Sequence, residues 1–388
     1  MRWIWVFFLF LGVAEGGGAV VTGADRVDAV VGIVGDRKVG LVVNQTSVLS
    51  GGVHLLDTLL ARGVDVVKVF ALEHGFRGTA EAGEVFGDGR DEGTGLPVVS
   101  LYGKDKKPAA ALLAGLDLII FDIQDVGVRF YTYISSMHLV MEACAESGKD
   151  CVILDRPNPN DFVDGPVRKD GYTSFVGLDP IPVLHGLTVG ELALMINGER
   201  WLAGGSVCRL TVVEMLDWVH GDPYDLPVSP SPNLPNRQAV RLYPSLGWFE
   251  ATGVSVGRGT PFPFQAAGYP DKSFGQFTFT PRPMPGMDSN PLQKGKACYG
   301  VDLRAFPFEG GLSLAFFLDF FRKAGGGAAF FTRPEWFDLL AGCGDLRTAI
   351  LSGMTEDEIR RAWQDDLSAY KAVRRRYLLY ADDRVGEE

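Results

Sequence analysis

The amino-acid sequence predicts an α/β protein, with a Rossmann-like parallel-sheet domain followed by a smaller α+β auxiliary domain. Three observations carry this expectation. Short unbroken apolar runs, Val39–Val43, Val66–Phe70, Leu118–Phe121 and Cys151–Leu154, alternate with segments of helical spacing. Unbroken runs are what strands covered on both faces require, and their alternation with helices means βαβ units. Each run stops abruptly in a polar cluster. After Pro166 the alternation gives way to proline-rich connections, one strand-like alternation and several helical segments.

The elements follow in order. Val39–Val43 is a strand ending in Asn44-Gln45-Thr46-Ser47, and Val53–Ala61 has helical spacing. Val66–Phe70 is a strand running into Glu73-His74-Gly75-Phe76-Arg77-Gly78 and a glycine-rich loop. Pro97–Leu101 reads as a strand and Pro108–Leu113 as a short helix. Leu118–Phe121 ends in Asp122-Ile123-Gln124-Asp125, Tyr131–Glu146 is helical, and Cys151–Leu154 ends in Asp155-Arg156-Pro157-Asn158-Pro159. Thr188 and Glu191 fit a capping box opening a helix through Asn197, and Leu210–Met215 looks like a further strand. Prolines at 227, 230, 232 and 235 fix an extended path. Gln276–Thr280 alternates like a strand, Leu312–Phe321 is an apolar helix, and a second capping box at Thr355 and Glu358 opens a helix to about Tyr377. The change of character places a domain boundary at residues 165/166.

In a parallel sheet the carboxyl ends of all strands share one edge, where ligands bind. Asn44, Glu73, Asp122 and Arg156 are therefore expected to converge, although some of these groups will only cap helices or tie loops. Composition narrows the function further. The 388 residues are 46% hydrophobic with a net charge of −11, so the chain buries a full core. It carries no long basic run to follow a phosphate backbone, and no nucleic-acid partner is expected. Residues 1–19 combine a basic start, an apolar run from Trp3 to Ala14 and small residues, the pattern of an export signal. The protein is accordingly expected to be periplasmic or secreted, with no stable membrane insertion once the signal is removed. The five scattered cysteines form no CxxC or Cys/His spacing, so neither a disulfide framework nor a zinc site is expected. Nothing in the sequence indicates an oligomeric state.

Known chemistries can be tested in turn. There is no G-x-S-x-G elbow, no P-loop and no G-x-G-x-x-G after the first strand, so neither a serine hydrolase nor a nucleotide cofactor is indicated. No H-E-x-x-H or D-x-D supports a metal, and no cofactor is expected. Carboxylates remain, and glycoside hydrolysis commonly uses a pair of them. Glu73, at an apolar strand end, is the first candidate for an acid held protonated by burial. Glu84 and Asp122 are candidates for a second role. Tyr131 and Tyr133 can bind a sugar ring or orient an intermediate. Arg77, Arg129, Arg156 and Arg258 can pair with an anionic substrate group or, equally, with neighbouring aspartates such as Asp125. Candidate contacts are completed by Asn44, His74, Gln124, Asn158 and Asn233, with His74 and His185 open to a structural reading.

Several long motifs carry a family resemblance. They are Glu73–Gly78 with Ala82-Gly83, Phe121–Tyr133, Asp155–Pro159, Val163–Pro166, His185–Ala193, Ser231–Pro235, Tyr243–Leu246, Val254–Thr260 and Arg376–Tyr380. Together they resemble the exo-β-N-acetylmuramidases, NamZ-like glycoside hydrolases once known only as a domain of unknown function. The resemblance implies a Rossmann-like catalytic domain over residues 20–165 and an auxiliary domain over 166–388, with the site in the cleft between. It implies release of N-acetylmuramic acid from the non-reducing end of peptidoglycan fragments. Glu73 maps to the family's acid, while Tyr131, Tyr133, Arg129 and Arg156 fall on further site positions and Tyr131 joins Glu73 as catalytic. The lactyl carboxylate of muramic acid suits an arginine-rich site. Departures occur after Asn158-Pro159, where the segment is short, at Ala251-Thr252, and at Pro261, where an acidic residue is commoner. An exported binding protein for an anionic sugar shares all of these features except turnover.

Overall fold

The structure, a computed structural model, describes residues 19–73, 75–76, 88–103 and 106–382. The expected export signal therefore lies outside the described residues but for its last position, as do His74, Arg77 and Glu84.

The expected strands form and join one sheet. β1 (Val39–Val43), β2 (Val66–Ala71), β4 (Pro97–Ser100), β5 (Leu118–Asp122) and β6 (Asp150–Leu154) are parallel, and a two-residue β3 (Gly89–Arg90) runs antiparallel at one edge. A small antiparallel ribbon pairs β7 (Val163–Asp164) with β8 (Leu184–His185). The far edge of the large sheet is β9 (Arg209–Val213), so the order is β3-β4-β2-β1-β5-β6-β9. Starting from β1, the chain winds outward in one direction through β2 and β4, then in the other through β5, β6 and β9. The switch point falls between β1 and β5.

Every residue of β1 and β5 is buried because both sheet faces are covered. Val42, Phe70, Ile119, Phe121 and Ile153 point to the face packed by helices Tyr133–Ser147 and Val189–Gly198. Leu41, Val43, Val69, Leu118, Ile120 and Val152 point to the other, with helices Val27–Val34 and Leu55–Ala61. This two-sided burial is why the strands read as unbroken apolar runs. Cys144 and Cys151 are small buried core residues, and all five cysteines are unpaired.

One expectation is corrected. The strand foreseen at Leu210–Met215 belongs to the large sheet, with Cys151 opposite Leu210 and Leu154 opposite Val213. The boundary expected at 165/166 thus cuts through a single βαβ unit. The unit was hard to see because an irregular excursion, residues 155–188, separates β6 from its helix. The second region holds helix Arg237–Leu246, an antiparallel sheet of β10 (Ala266–Tyr269), β12 (Cys298–Asp302) and β11 (Phe277–Phe279), and five further helices. Its core is rich in phenylalanine, with Phe317 in ring contact with Phe249, Phe330, Phe331 and Phe337. The long terminal helix expected from Thr355 is two helices, Glu356–Ala362 and Gln364–Arg374, that meet at the buried Trp363. Among the described residues no helix is long and apolar enough to cross a membrane.

The chain end returns to the large sheet. Tyr380 donates to Asp155 Oδ2 at 2.6 Å, and Arg374 pairs with Asp382 at 2.9 Å. Beneath them His220 is enclosed by two carboxylates, Asp161 at 3.0 Å from Nδ1 and Glu191 at 2.9 Å from Nε2. Burial alone lowers the pKa of this imidazole, but its hydrogen bonds to Asp161 and Glu191 outweigh that effect and raise it from 6.5 to about 9. A folded-state pKa above the unfolded one stabilises fully below the unfolded value and is lost as pH rises through the folded value. His220 is therefore expected to contribute on the order of 3 kcal/mol that disappears between about pH 6.5 and 9. The buried carboxyls Asp125 and Asp155, both pushed up to about 7 chiefly by desolvation, act in the same sense at lower pH. Urea midpoints measured from pH 6 to 10 should fall steadily, and His220→Gln should flatten the alkaline part of that fall. An unchanged slope in the variant would contradict this assignment.

Candidate active site

Glu73 stands in the turn that leaves β2. Gly75, with φ +75°, closes the turn by donating its N–H to Leu72 O at 2.9 Å. A side chain there would strain the backbone. Two neighbours hold the carboxylate. Leu101 N–H donates to Ala71 O, prolonging the β2–β4 pairing and bringing Tyr102 alongside. The Tyr102 hydroxyl donates to Glu73 Oε1 at 2.9 Å. Thr132 sits at the N-cap of helix Tyr133–Ser147 but makes no capping bond there. Its hydroxyl donates instead to Glu73 Oε2 at 2.8 Å. Desolvation, together with the charge and hydrogen bond of Glu73, pushes the Tyr102 phenol up, so it remains a proton donor.

Glu73 faces a cavity of about 260 Å³. On the sheet side the walls are Tyr102, Phe130, Tyr131 and Thr132, with Phe175 and Val176 from the excursion after β6. Opposite stand Ser231 and Asn233 of the proline-rich connection, Tyr243 of helix Arg237–Leu246, then Glu250, Arg258, Phe264 and Trp336. The proline-rich segment is tied across the cleft by its carbonyls. Pro230 O accepts from Tyr131 Oη at 2.9 Å and from Gln45 Nε2 at 3.1 Å, and Tyr133 Oη lies 3.4 Å from it. Tyr131, Tyr133 and Tyr243 stack edge to face at centroid distances of 4.9 and 5.9 Å. Burial raises the Tyr131 phenol well above its ordinary value, so it serves here as a hydroxyl and not as a phenolate. Asn233 donates to Met287 O at 3.0 Å.

The convergence of strand ends is real, but most of those groups satisfy one another. Arg156 forks onto Asp122, Nε to Oδ1 at 2.6 Å and Nη2 to Oδ2 at 2.9 Å, both side chains fully buried. Asn44 Oδ1 accepts from Thr46, and Thr46 Oγ1 accepts from Gln124 N–H. Gln124 Nε2 donates to the carbonyls of Asp125 and Pro157, while Asn158 ties Leu187 O to Asn160 N–H. Asn158 also lies where a Cβ on Gly127 would be, 1.9 Å from its Oδ1, so this packing requires glycine. This buried network fills the crevice between β1 and β5 where a Rossmann dinucleotide would sit. None of Asn44, Asp122, Gln124, Arg156 or Asn158 lines the cavity.

Arg129 departs further from expectation. Its guanidinium is buried and donates to the carbonyls of Pro166, Ile181 and Leu340, binding the two regions together. Burial lowers its pKa to about 9. It neither reaches the cavity nor pairs with Asp125. Of the four arginines singled out, Arg258 lies in the cavity wall, and Arg77 falls outside the described residues. Tyr102, Thr132 and Glu250 were overlooked. The strand-end rule that selects Glu73 also selects Tyr102, two residues past β4. No local pattern announces Glu250, which lies in a short 3-10 turn.

A carboxylate turned into an aromatic-walled cavity is a combination that glycoside hydrolases use on sugar rings. The chain belongs to the exo-β-N-acetylmuramidase NamZ family, whose N-terminal domain pattern matches residues 39–238 and whose C-terminal pattern matches residues 241–380. It is a glycoside hydrolase. Its relatives include the peptidoglycan β-N-acetylmuramidase NamZ of Bacillus subtilis (strain 168), 37% identical over 368 residues, 89% of this chain and 87% of that one. Two crystal structures of DUF1343 family proteins from Bacteroides fragilis NCTC 9343 share the fold. The first has a TM-score of 0.87 at 43% identity, over 94% of this chain and 100% of the other. The second has a TM-score of 0.81 at 31% identity, over 93% and 99%.

Proposed function

We propose that the protein is an exo-acting hydrolase that releases N-acetylmuramic acid from the non-reducing end of peptidoglycan fragments, with Glu73 as general acid. The observation that carries this reading is Glu73 itself, a carboxylate at a sheet edge, braced on both oxygens and turned into the cavity. In its acid form Glu73 would pass its proton to the glycosidic oxygen as the bond to the anomeric carbon breaks, so that the departing sugar leaves as an alcohol, while water bonds the anomeric carbon and the proton it releases restores the acid. At about 260 Å³ the cavity is small beside the ~300–1,000 Å³ of drug-sized sites, which favours one terminal sugar over a threaded glycan. Aromatic walls from Tyr131, Tyr243 and Phe264 suit the apolar face of a pyranose ring. Tyr131, as a neutral hydroxyl fixed on Pro230 O, orients the ring, and Asn233 lines the opposite wall. Residues 1–19 would direct the protein out of the cytoplasm, to where peptidoglycan fragments arise.

The test is digestion of defined fragments that end in either N-acetylmuramic acid or N-acetylglucosamine at the non-reducing end. Free N-acetylmuramic acid should appear from the first set alone. Internal cleavage, or equal digestion of both sets, would overturn the exo-muramidase reading.

A further inference from the structure

Resting on that reading, we infer that Arg258, held by Glu250, is the subsite for the substrate's carboxylate, and that this ion pair sets the preference for a carboxylate-bearing sugar over a neutral one. Arg129 is committed to three carbonyls and Arg156 to Asp122. Lys106, near the rim, donates to Gly103 O at 2.6 Å and lies over Phe175 without entering the wall. Among the described residues lining the cavity, Arg258 is the one cation.

Its geometry suits the role. Arg258 Nη2 donates to Glu250 Oε1 at 2.7 Å, and both side chains remain about a quarter exposed, 24% and 27%, on the cavity. The guanidinium lies over the Phe264 ring at 5.2 Å, which fixes its plane and leaves its edges open. Among the described residues Nε and Nη1 have no hydrogen-bond partner, so a second carboxylate can be received without breaking the first contact. Guanidinium and carboxylate match in a planar, charge-assisted pair, and a partly desolvated site strengthens it.

Glu250 has two effects on this subsite. It pre-orients Arg258 in the empty cavity. Its charge also opposes the incoming carboxylate, so the acidic product is not held as firmly as an unopposed arginine would hold it. Glu250 is thereby a positioning residue that trades affinity for release. Among the described residues Arg258 Nε and Nη1 are unpaired, which distinguishes this pair from the closed Arg156–Asp122 pair, buried on both side chains.

The test compares binding of N-acetylmuramic acid with that of its lactyl methyl ester, a neutral analogue of the same shape, as competitive inhibitors or by calorimetry. Wild type should prefer the acid by about 10- to 100-fold, the worth of a charged hydrogen-bonded pair. Arg258→Met should bring the ratio near one by weakening the acid alone. Arg258→Lys, which keeps charge and bulk but loses the fork, should fall between. Glu250→Gln should raise the ratio and deepen product inhibition. A wild-type ratio retained in both arginine variants would overturn the inference and leave the muramidase reading intact. Loss of turnover in Glu250→Gln with an unchanged ratio would move Glu250 into the chemistry and overturn its positioning role. If wild type binds neither sugar, the muramidase reading itself fails, and this subsite fails with it.

Discussion

Glu73→Gln is expected to cut hydrolysis by roughly 10²- to 10⁴-fold while leaving affinity for N-acetylmuramic acid nearly unchanged. Glutamine preserves the side chain's length and can keep both braces, accepting from Tyr102 and bonding Thr132. What it lacks is a proton to give. The loss should therefore depend on the leaving group. A sugar alcohol leaves poorly without protonation, so the natural linkage should suffer most. A nitrophenyl leaving group departs as a stable phenolate and should suffer less. That graded dependence separates an acid from a residue that merely shapes the pocket, which would slow both substrates alike. Steady-state kinetics on the two substrates, paired with a binding isotherm, gives the answer. Equal losses on both would remove Glu73 from the acid role. Tight sugar binding by a wild-type protein without any turnover would instead favour a binding module.

Asp122→Ala is expected to destabilise the fold by about 3–5 kcal/mol, the cost of leaving a buried partner charge uncompensated. Asp122 and Arg156 are fully buried and doubly bonded at the point where β5 and β6 end. Removing the carboxylate strands a guanidinium in the crevice between β1 and β5. A double replacement, Asp122→Leu with Arg156→Met, should recover much of that loss, because no charge is then left buried. Chemical denaturation of the two single variants and the double variant measures the coupling. A substrate-binding Asp122 would behave differently, losing affinity with little change in stability.

These two expectations divide residues that look alike in the sequence. Glu73 and Asp122 are both carboxylates at apolar strand ends, and both were reasonable candidates for chemistry. The strand positions and the two capping boxes were legible because each depends on residues within a few positions of one another, and the convergence of the four strand ends followed from the shared edge of a parallel sheet. Helix Val189–Gly198 is capped by Thr188 and Glu191 as the spacing requires. The placement of β9 was not legible, because pairing across the long excursion after β6 leaves no local trace. The arginines were misjudged for a related reason. Whether a guanidinium is open to a ligand or spent on carbonyls depends on what folds over it, and Arg129 meets Leu340 across 211 positions.

Periodicity and strand-end chemistry were enough to establish a parallel α/β sheet with Glu73 at the carboxyl end of one of its strands. Local apolar patterning controls which backbone segments must be buried, and a parallel sheet aligns their ends whatever the side chains there are. The fate of each polar group was settled by assembly. A charge leaves water only where partners within about 3 Å compensate its desolvation. Folding supplies those partners to Arg156 and Arg129 and leaves Glu73 and the Glu250–Arg258 pair facing a cavity.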